Sequence, residues 1–224
     1  MMVKICCATL TSMLLLVGAL HATDLSGHWW IKDRSQIAAV AHDQLPLLPA
    51  AALQYRHNRK ITHGKGNAGS ASRCLPDGVP RLMLARYPLQ ILQRPEQITL
   101  LHERMHMVRP IYMRDSHPGE LEPTYNGDSI GHWDGGTLVI DTMGFNDLTF
   151  IDATGIPHSD ALHVTERLSL HERDNTLRDV ITLEDPNSYQ KPWSFTVEFA
   201  RRDDVRLMED VCTFGPPQRD RVAP

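Results

Sequence analysis

The sequence predicts a mainly β protein whose antiparallel meander closes into a barrel, and three observations predict it. From Gln97 onward polar and apolar residues alternate in short segments bounded by turn residues, the period of a half-buried strand. Several connections are very short, namely Asp134-Gly135-Gly136, Arg173-Asp174-Asn175 and Asp203-Asp204, and links of this kind join antiparallel neighbours. With 42% hydrophobic and 22% charged residues over 224 positions, the chain supplies one ordinary core and excludes pervasive disorder, collagen and coiled coil. Closure is preferred because it removes the free edges of a long antiparallel sheet; two packed sheets are the alternative.

In chain order, Lys4 followed by the apolar run Ile5 to Leu20 and by Ala22 reads as an export signal over residues 1–22. Its apolar stretch is shorter than the roughly 20 residues a bilayer span needs, so no membrane association is expected once it is removed. Residues 23–73 form an irregular segment. Within it Pro49 precedes a short helix over 50–55, and the Gly/Ser-rich stretch 64–72 reads as a flexible link. Residues 74–214 are assigned to the barrel, with strands over about 97–104, 106–113, 129–133, 137–142, 162–171, 176–183, 193–201 and 206–213. The Pro-rich end, 215–224, reads as a disordered tail. Cys6 and Cys7 leave with the signal. Cys74 and Cys212 remain, and in an oxidising compartment they are expected to form a disulfide.

Two resemblances follow from motifs. Gly27-His28-Trp29 at the head of a meander resembles the Gly-x-Trp signature of lipocalins and related calycin barrels, and implies a tryptophan plugging the closed end. A second set of motifs spans most of the mature chain: Cys74-Leu75-Pro76-Asp77-Gly78-Val79-Pro80-Arg81, Gly131-His132-Trp133-Asp134-Gly135 with Thr137 to Thr142, and His158-Ser159-Asp160-Ala161-Leu162-His163-Val164-Thr165-Glu166-Arg167. It resembles a large group of exported bacterial proteins without a settled activity, which implies a periplasmic or secreted location and no particular reaction.

The chemistry is sought in polar residues on apolar strand faces. If one alternation runs through 99–111, Glu103 and Arg109 share a face with Met105, Met107 and Ile111; in 162–170 Glu166 lies among Leu162, Val164, Leu168 and Leu170. A charge facing a core is costly unless paired or liganded. One reading is a lumen where Arg109 holds an anionic or carbonyl group while Glu103 and Glu166 exchange protons with a ligand. The other is a buried Arg-Glu pair that fixes strand register. Asp179, which interrupts Leu177, Ile181 and Leu183, is placed near a rim. Trp133, Trp193 and Phe195 alternate like core or lumen residues, and Trp133 joins Met105, Met107, Arg109 and Asp179 as a ligand-binding candidate.

Among twelve histidines, His102, His106, His158 and His163 are the alternative set for a divalent metal; otherwise no cofactor is expected. His158-Ser159-Asp160 has the residue types of a hydrolase triad, but neighbours in sequence do not form one. A net charge of -4 with no basic run excludes nucleic acid as a partner. The expected partner is a small, partly apolar molecule held in the lumen. It is either isomerised or eliminated by cofactor-independent acid-base chemistry or simply carried or sensed; a His-ligated lyase or hydrolase is the remaining alternative.

Overall fold

The structure, a computed structural model, describes residues 22–33, 45–61 and 74–212. The signal segment up to residue 21, the flexible link and the Pro-rich tail lie outside the described residues. Nine strands form one closed barrel in sequence order: β1 Gly27–Ile31, β2 Leu89–Gln93, β3 Gln97–His102, β4 Val108–Tyr112, β5 Asp128–Asp134, β6 Thr137–Met143, β7 His163–His171, β8 Thr176–Glu184 and β9 Trp193–Arg201, with β9 pairing back onto β1. A helix, α1, spans Pro49–Ile61.

An odd number of strands alternating strictly up and down would bring the first and last together parallel. Here β9 and β1 pair antiparallel, because the one parallel junction falls between β4 and β5 at Tyr112 and Ile130. Segment 113–127 therefore runs back along the barrel before β5 begins. At this junction a Cβ on Gly131 would stand 2.9 Å from Ile111 Cγ2, so the missing side chain lets the two strands approach.

The strand directions gather tight turns at one end of the barrel and long connections at the other. The turn end is sealed by the N-terminal segment. Thr23 Oγ1 donates to the Gly136 carbonyl at 3.1 Å, the Leu25 N–H donates to Gln93 Oε1 at 2.9 Å, and Trp29, fully buried, donates from Nε1 to the Leu25 carbonyl at 2.9 Å. Arg201 lies 4.6 Å over the Trp29 ring and donates to the Ser26 carbonyl. Trp29 is thus buried between Leu25 and Arg201.

At the loop end α1 packs through Ala51, Tyr55 and Asn58, spaced as one helical face. Tyr55 Oη meets Thr154 Oγ1 at 2.9 Å and Asn58 Nδ2 donates to the Gly155 carbonyl at 2.8 Å. Pro49 starts the helix, and Arg59 and Lys60 complement the dipole at its C-terminal turn, so it runs beyond the expected 50–55.

Three expectations are corrected. The barrel begins before Cys74, since β1 lies in the segment expected to be irregular. β2 is an addition to the expected strands, with Leu89 and Ile91 alternating into the core. Residues 206–212 are not a strand: β9 already pairs with β8 and β1, and a closed barrel has no free edge to offer. The segment lies instead against the β3–β4 turn. The Met208 N–H donates to Glu103 Oε2 at 2.8 Å, the Asp210 N–H donates to His106 Nε2 at 3.0 Å, and Cys74–Cys212 is disulfide-bonded across a separation of 138 residues.

Candidate functional site

The β3–β4 register decides which residues enter the lumen. Leu100 pairs with Arg109 and Ile98 with Ile111, so even residues of β3 share a face with odd residues of β4. The intervening turn, a short helical segment over Arg104–His106 with Met105 at φ 55°, breaks the single alternation expected over 99–111. His102 therefore points inward with Ile98 and Leu100, and Glu103 lies in the turn. The expected grouping of Glu103 with Arg109 and Glu166 does not form: Glu103 is tied to the Met208 backbone, and Met105 and Met107 sit partly exposed in the same turn.

Arg109 and Glu166 do meet, at 1% and 0% side-chain exposure. Arg109 Nη1 donates to Glu166 Oε1 at 2.9 Å and Nη2 donates to Oε2, a bidentate pair. The rest of the guanidinium is held by hydroxyls: Nε donates to Ser129 Oγ at 3.3 Å, and Nη2 donates to Ser129 Oγ at 3.2 Å and Thr142 Oγ1 at 3.1 Å. Sequence reasoning misses Ser129 and Thr142, although each stands on an apolar face, Ser129 ahead of Gly131 and Thr142 after Leu138 and Ile140.

Asp179 is fully buried in the middle of β8, not at a rim. Its carboxyl group lies against the Glu166 side chain and the Arg167 backbone, with hydrogen-bonding contact to both. Burial, reinforced by the adjacent Glu166 charge, pushes its pKa well above the usual carboxylate range. His102, 3% exposed, has no partner for Nε2, and burial together with the Arg109 charge pulls its pKa down to about 3. Both groups feel the Arg109 charge, from strands β3 and β8 of the barrel. Trp193 enters from the loop end of β9; its Nε1 is also without a partner, and its ring lies 5.6 Å from Tyr189 and 5.8 Å from Phe195. Trp133 is only partly buried and packs against the core nearer the turn end.

The four histidines of the metal alternative go to four places. His102 faces the lumen and His106 the C-terminal segment. His158 accepts from Thr149 Oγ1 at 2.8 Å and donates from Nδ1 to the Ser159 carbonyl, with burial lowering its pKa. His163 lies on the outer face, donating from Nε2 to Asp141 Oδ2 at 2.6 Å. Among the described residues no three His, Cys, Asp or Glu side chains converge as a metal ion would require. Ser159 is engaged in fastening a loop, where its N–H and hydroxyl both donate to Asp185, at 2.6 and 2.8 Å.

Outside the barrel, segment 113–127 is fastened by a second polar cluster. Arg114 Nη2 donates to Asp128 Oδ1 at 2.6 Å, and His117 places Nδ1 on Asp128 Oδ1 at 2.7 Å and Nε2 on Asp141 Oδ1 at 2.8 Å.

No known protein family matches the chain, and no curated protein is significantly similar to it.

Proposed function

We propose that this is an exported barrel that binds a small, partly apolar organic molecule in its lumen. The observation that carries the reading is the presence of buried polar atoms without partners on the inner wall, His102 Nε2 and Trp193 Nε1. Buried polar groups are normally satisfied, and leaving one unpaired costs about 1–3 kcal/mol, so two in the barrel interior call for a guest that supplies the missing bonds. The aromatic series Tyr189, Trp193 and Phe195 gives that guest an apolar surface. Export is supported by the signal-like N-terminus and by the Cys74–Cys212 bond, which an oxidising compartment preserves.

Binding without turnover is favoured over acid-base catalysis by one specific arrangement. Glu166 is engaged by both ends of the Arg109 guanidinium, and Glu103 lies outside the lumen, so neither expected carboxylate is free to take a proton from a guest. The test is native mass spectrometry of protein recovered from the exported fraction, followed by thermal shift and tryptophan fluorescence with a chemically diverse panel of small molecules. A non-covalent adduct lost on denaturation, or a panel member that raises the melting temperature and changes Trp193 emission, is expected. A panel that changes neither, with no adduct, defeats the reading.

A further inference from the structure

We infer that the first half of segment 113–127 is a proton-operated latch: it lies fastened on the outer face of β5 and β6 while the His117 ring carries both of its protons, and it is released when the ring loses one. The contacts of His117 require this. Its Nδ1 lies 2.7 Å from Asp128 Oδ1 on β5, and its Nε2 lies 2.8 Å from Asp141 Oδ1 on β6. An ionised carboxylate only accepts, so both contacts are hydrogen bonds only if both ring nitrogens donate. A neutral imidazole has one N–H, and its other nitrogen would set a lone pair against a carboxylate lone pair. Loss of one proton therefore turns one of the two bonds into a repulsion.

The surroundings decide how far that change spreads. Within 115–120 only His117 is turned toward the barrel; Asp115, Ser116, Pro118, Gly119 and Glu120 are exposed. The flanks are held by contacts that need no imidazole. Before the loop the Met113 N–H donates to the Glu96 carbonyl at 3.0 Å and Arg114 Nη2 donates to Asp128 Oδ1 at 2.6 Å; beyond it the Thr124 N–H donates to the Gly144 carbonyl at 3.0 Å. The stretch between can swing while the barrel stays closed. The charges around His117 favour the fastened state. Asp128 is shared with Arg114, Asp141 also accepts from His163 on β7 at 2.6 Å, and the Glu184 charge on β8 acts on His163. With both rings protonated, Arg114, His117 and His163 match Asp128, Asp141 and Glu184; with both neutral, two of the carboxylates lose their counter-charge.

A nitroxide attached at Glu120→Cys in the full mature protein reports the latch by electron paramagnetic resonance, with Glu172→Cys in the β7–β8 turn as reference. From about pH 5 to about pH 8.5, across the imidazole range, the ratio of immobilised to mobile signal at position 120 should fall about fivefold, the effect of losing one partly exposed charged hydrogen bond, and position 172 should stay constant. His117→Gln has no ring proton to lose and should make the signal at position 120 independent of pH, whereas His163→Gln should keep the fall. Nitrogen-15 NMR of labelled histidine gives a reading that needs no variant: one proton should leave the His117 ring over the same pH range in which the label is freed. A constant signal at position 120 overturns the latch, as does an equal change at position 172, a fall that survives His117→Gln, or a fall abolished by His163→Gln.

Discussion

Two polar clusters built from the same residue types lie on opposite sides of one barrel wall. Inside, Arg109, Glu166 and Asp179 have almost no contact with water; outside, Arg114 is 37% exposed and Asp141 and His163 about a third. Each cluster joins an arginine to a carboxylate at hydrogen-bonding distance, and each links several elements. The difference lies in the medium. In water the charges are screened and partly solvated, so forming the pair gains little. In the lumen every charge has been stripped of solvent, so removing one partner strands the other. The same kind of ion pair is thus a fastening on one face and a commitment of the fold on the other.

The sharpest way to break this comparison is to delete the two arginines in parallel. Arg109→Met should cost about 3–5 kcal/mol, since it leaves Glu166 buried and unpaired, whereas Arg114→Met should cost under about 1 kcal/mol. Denaturant unfolding of both variants measures the contrast, and equal losses would refute the assignment of inside and outside.

The acid limb of stability comes next. His102 has its pKa lowered to about 3 in the fold, against an ordinary 6.5 unfolded, so between these values the unfolded chain binds the extra proton. Stability from this group is complete above pH 6.5 and is lost as pH falls toward 3, at up to about 1.4 kcal/mol per pH unit. His102→Leu should flatten that limb in a melting-temperature profile.

Asp179 works in the opposite sense. Its folded pKa is raised, so its contribution is complete below the ordinary value of 3.8 and declines as pH rises through the folded pKa. Asp179→Asn should therefore stabilise the protein at neutral pH, because the amide carries no charge to desolvate. In a denaturant series the gain should vanish at about pH 3, below the ordinary carboxylate value.

The smallest effect is expected outside. The hydrogen bond to Asp141 raises the pKa of His163, so this pair contributes below the ordinary imidazole value and fades as pH rises through the folded one. Because the pair is partly exposed, His163→Gln should cost less than about 1 kcal/mol at pH 6, and added salt should erase even that. A salt-insensitive loss would mean that the outer network is more enclosed than its exposure indicates.

The strands from β5 to β9 are legible almost directly, because each is bounded by turn residues and keeps one alternation, and there the inward position of Glu166 follows from its neighbours. β1 and β2 are not, because five residues carry too little periodic signal apart from their partners. The β3–β4 region misleads for a different reason. A polar-apolar alternation continues across the turn, but a turn is free to invert facing, and this one does, exchanging Glu103 for His102. Sequence puts Asp179 at a rim because a lone acid in an apolar run says nothing about how far a strand extends on either side. Ser129 and Thr142 stand on apolar faces and Asp141 does not, but none announces its partner, since a hydroxyl or carboxylate gains its meaning only from what lies across the wall.

Composition and local period by themselves determined a mainly β meander, a helix after Pro49, the pairing of Cys74 with Cys212 as the expected disulfide, and the charged residues whose placement needed explaining. Those are properties of chain segments or of residue inventory, and they depend on side-chain chemistry within a few positions. Tertiary structure alone decided that the barrel closes through one parallel junction, that Arg109 is consumed by Glu166, Ser129 and Thr142, and that Asp179 is buried beside that pair. These facts depend on register between strands distant in sequence, where a shift of one residue exchanges inside for outside and water for its absence.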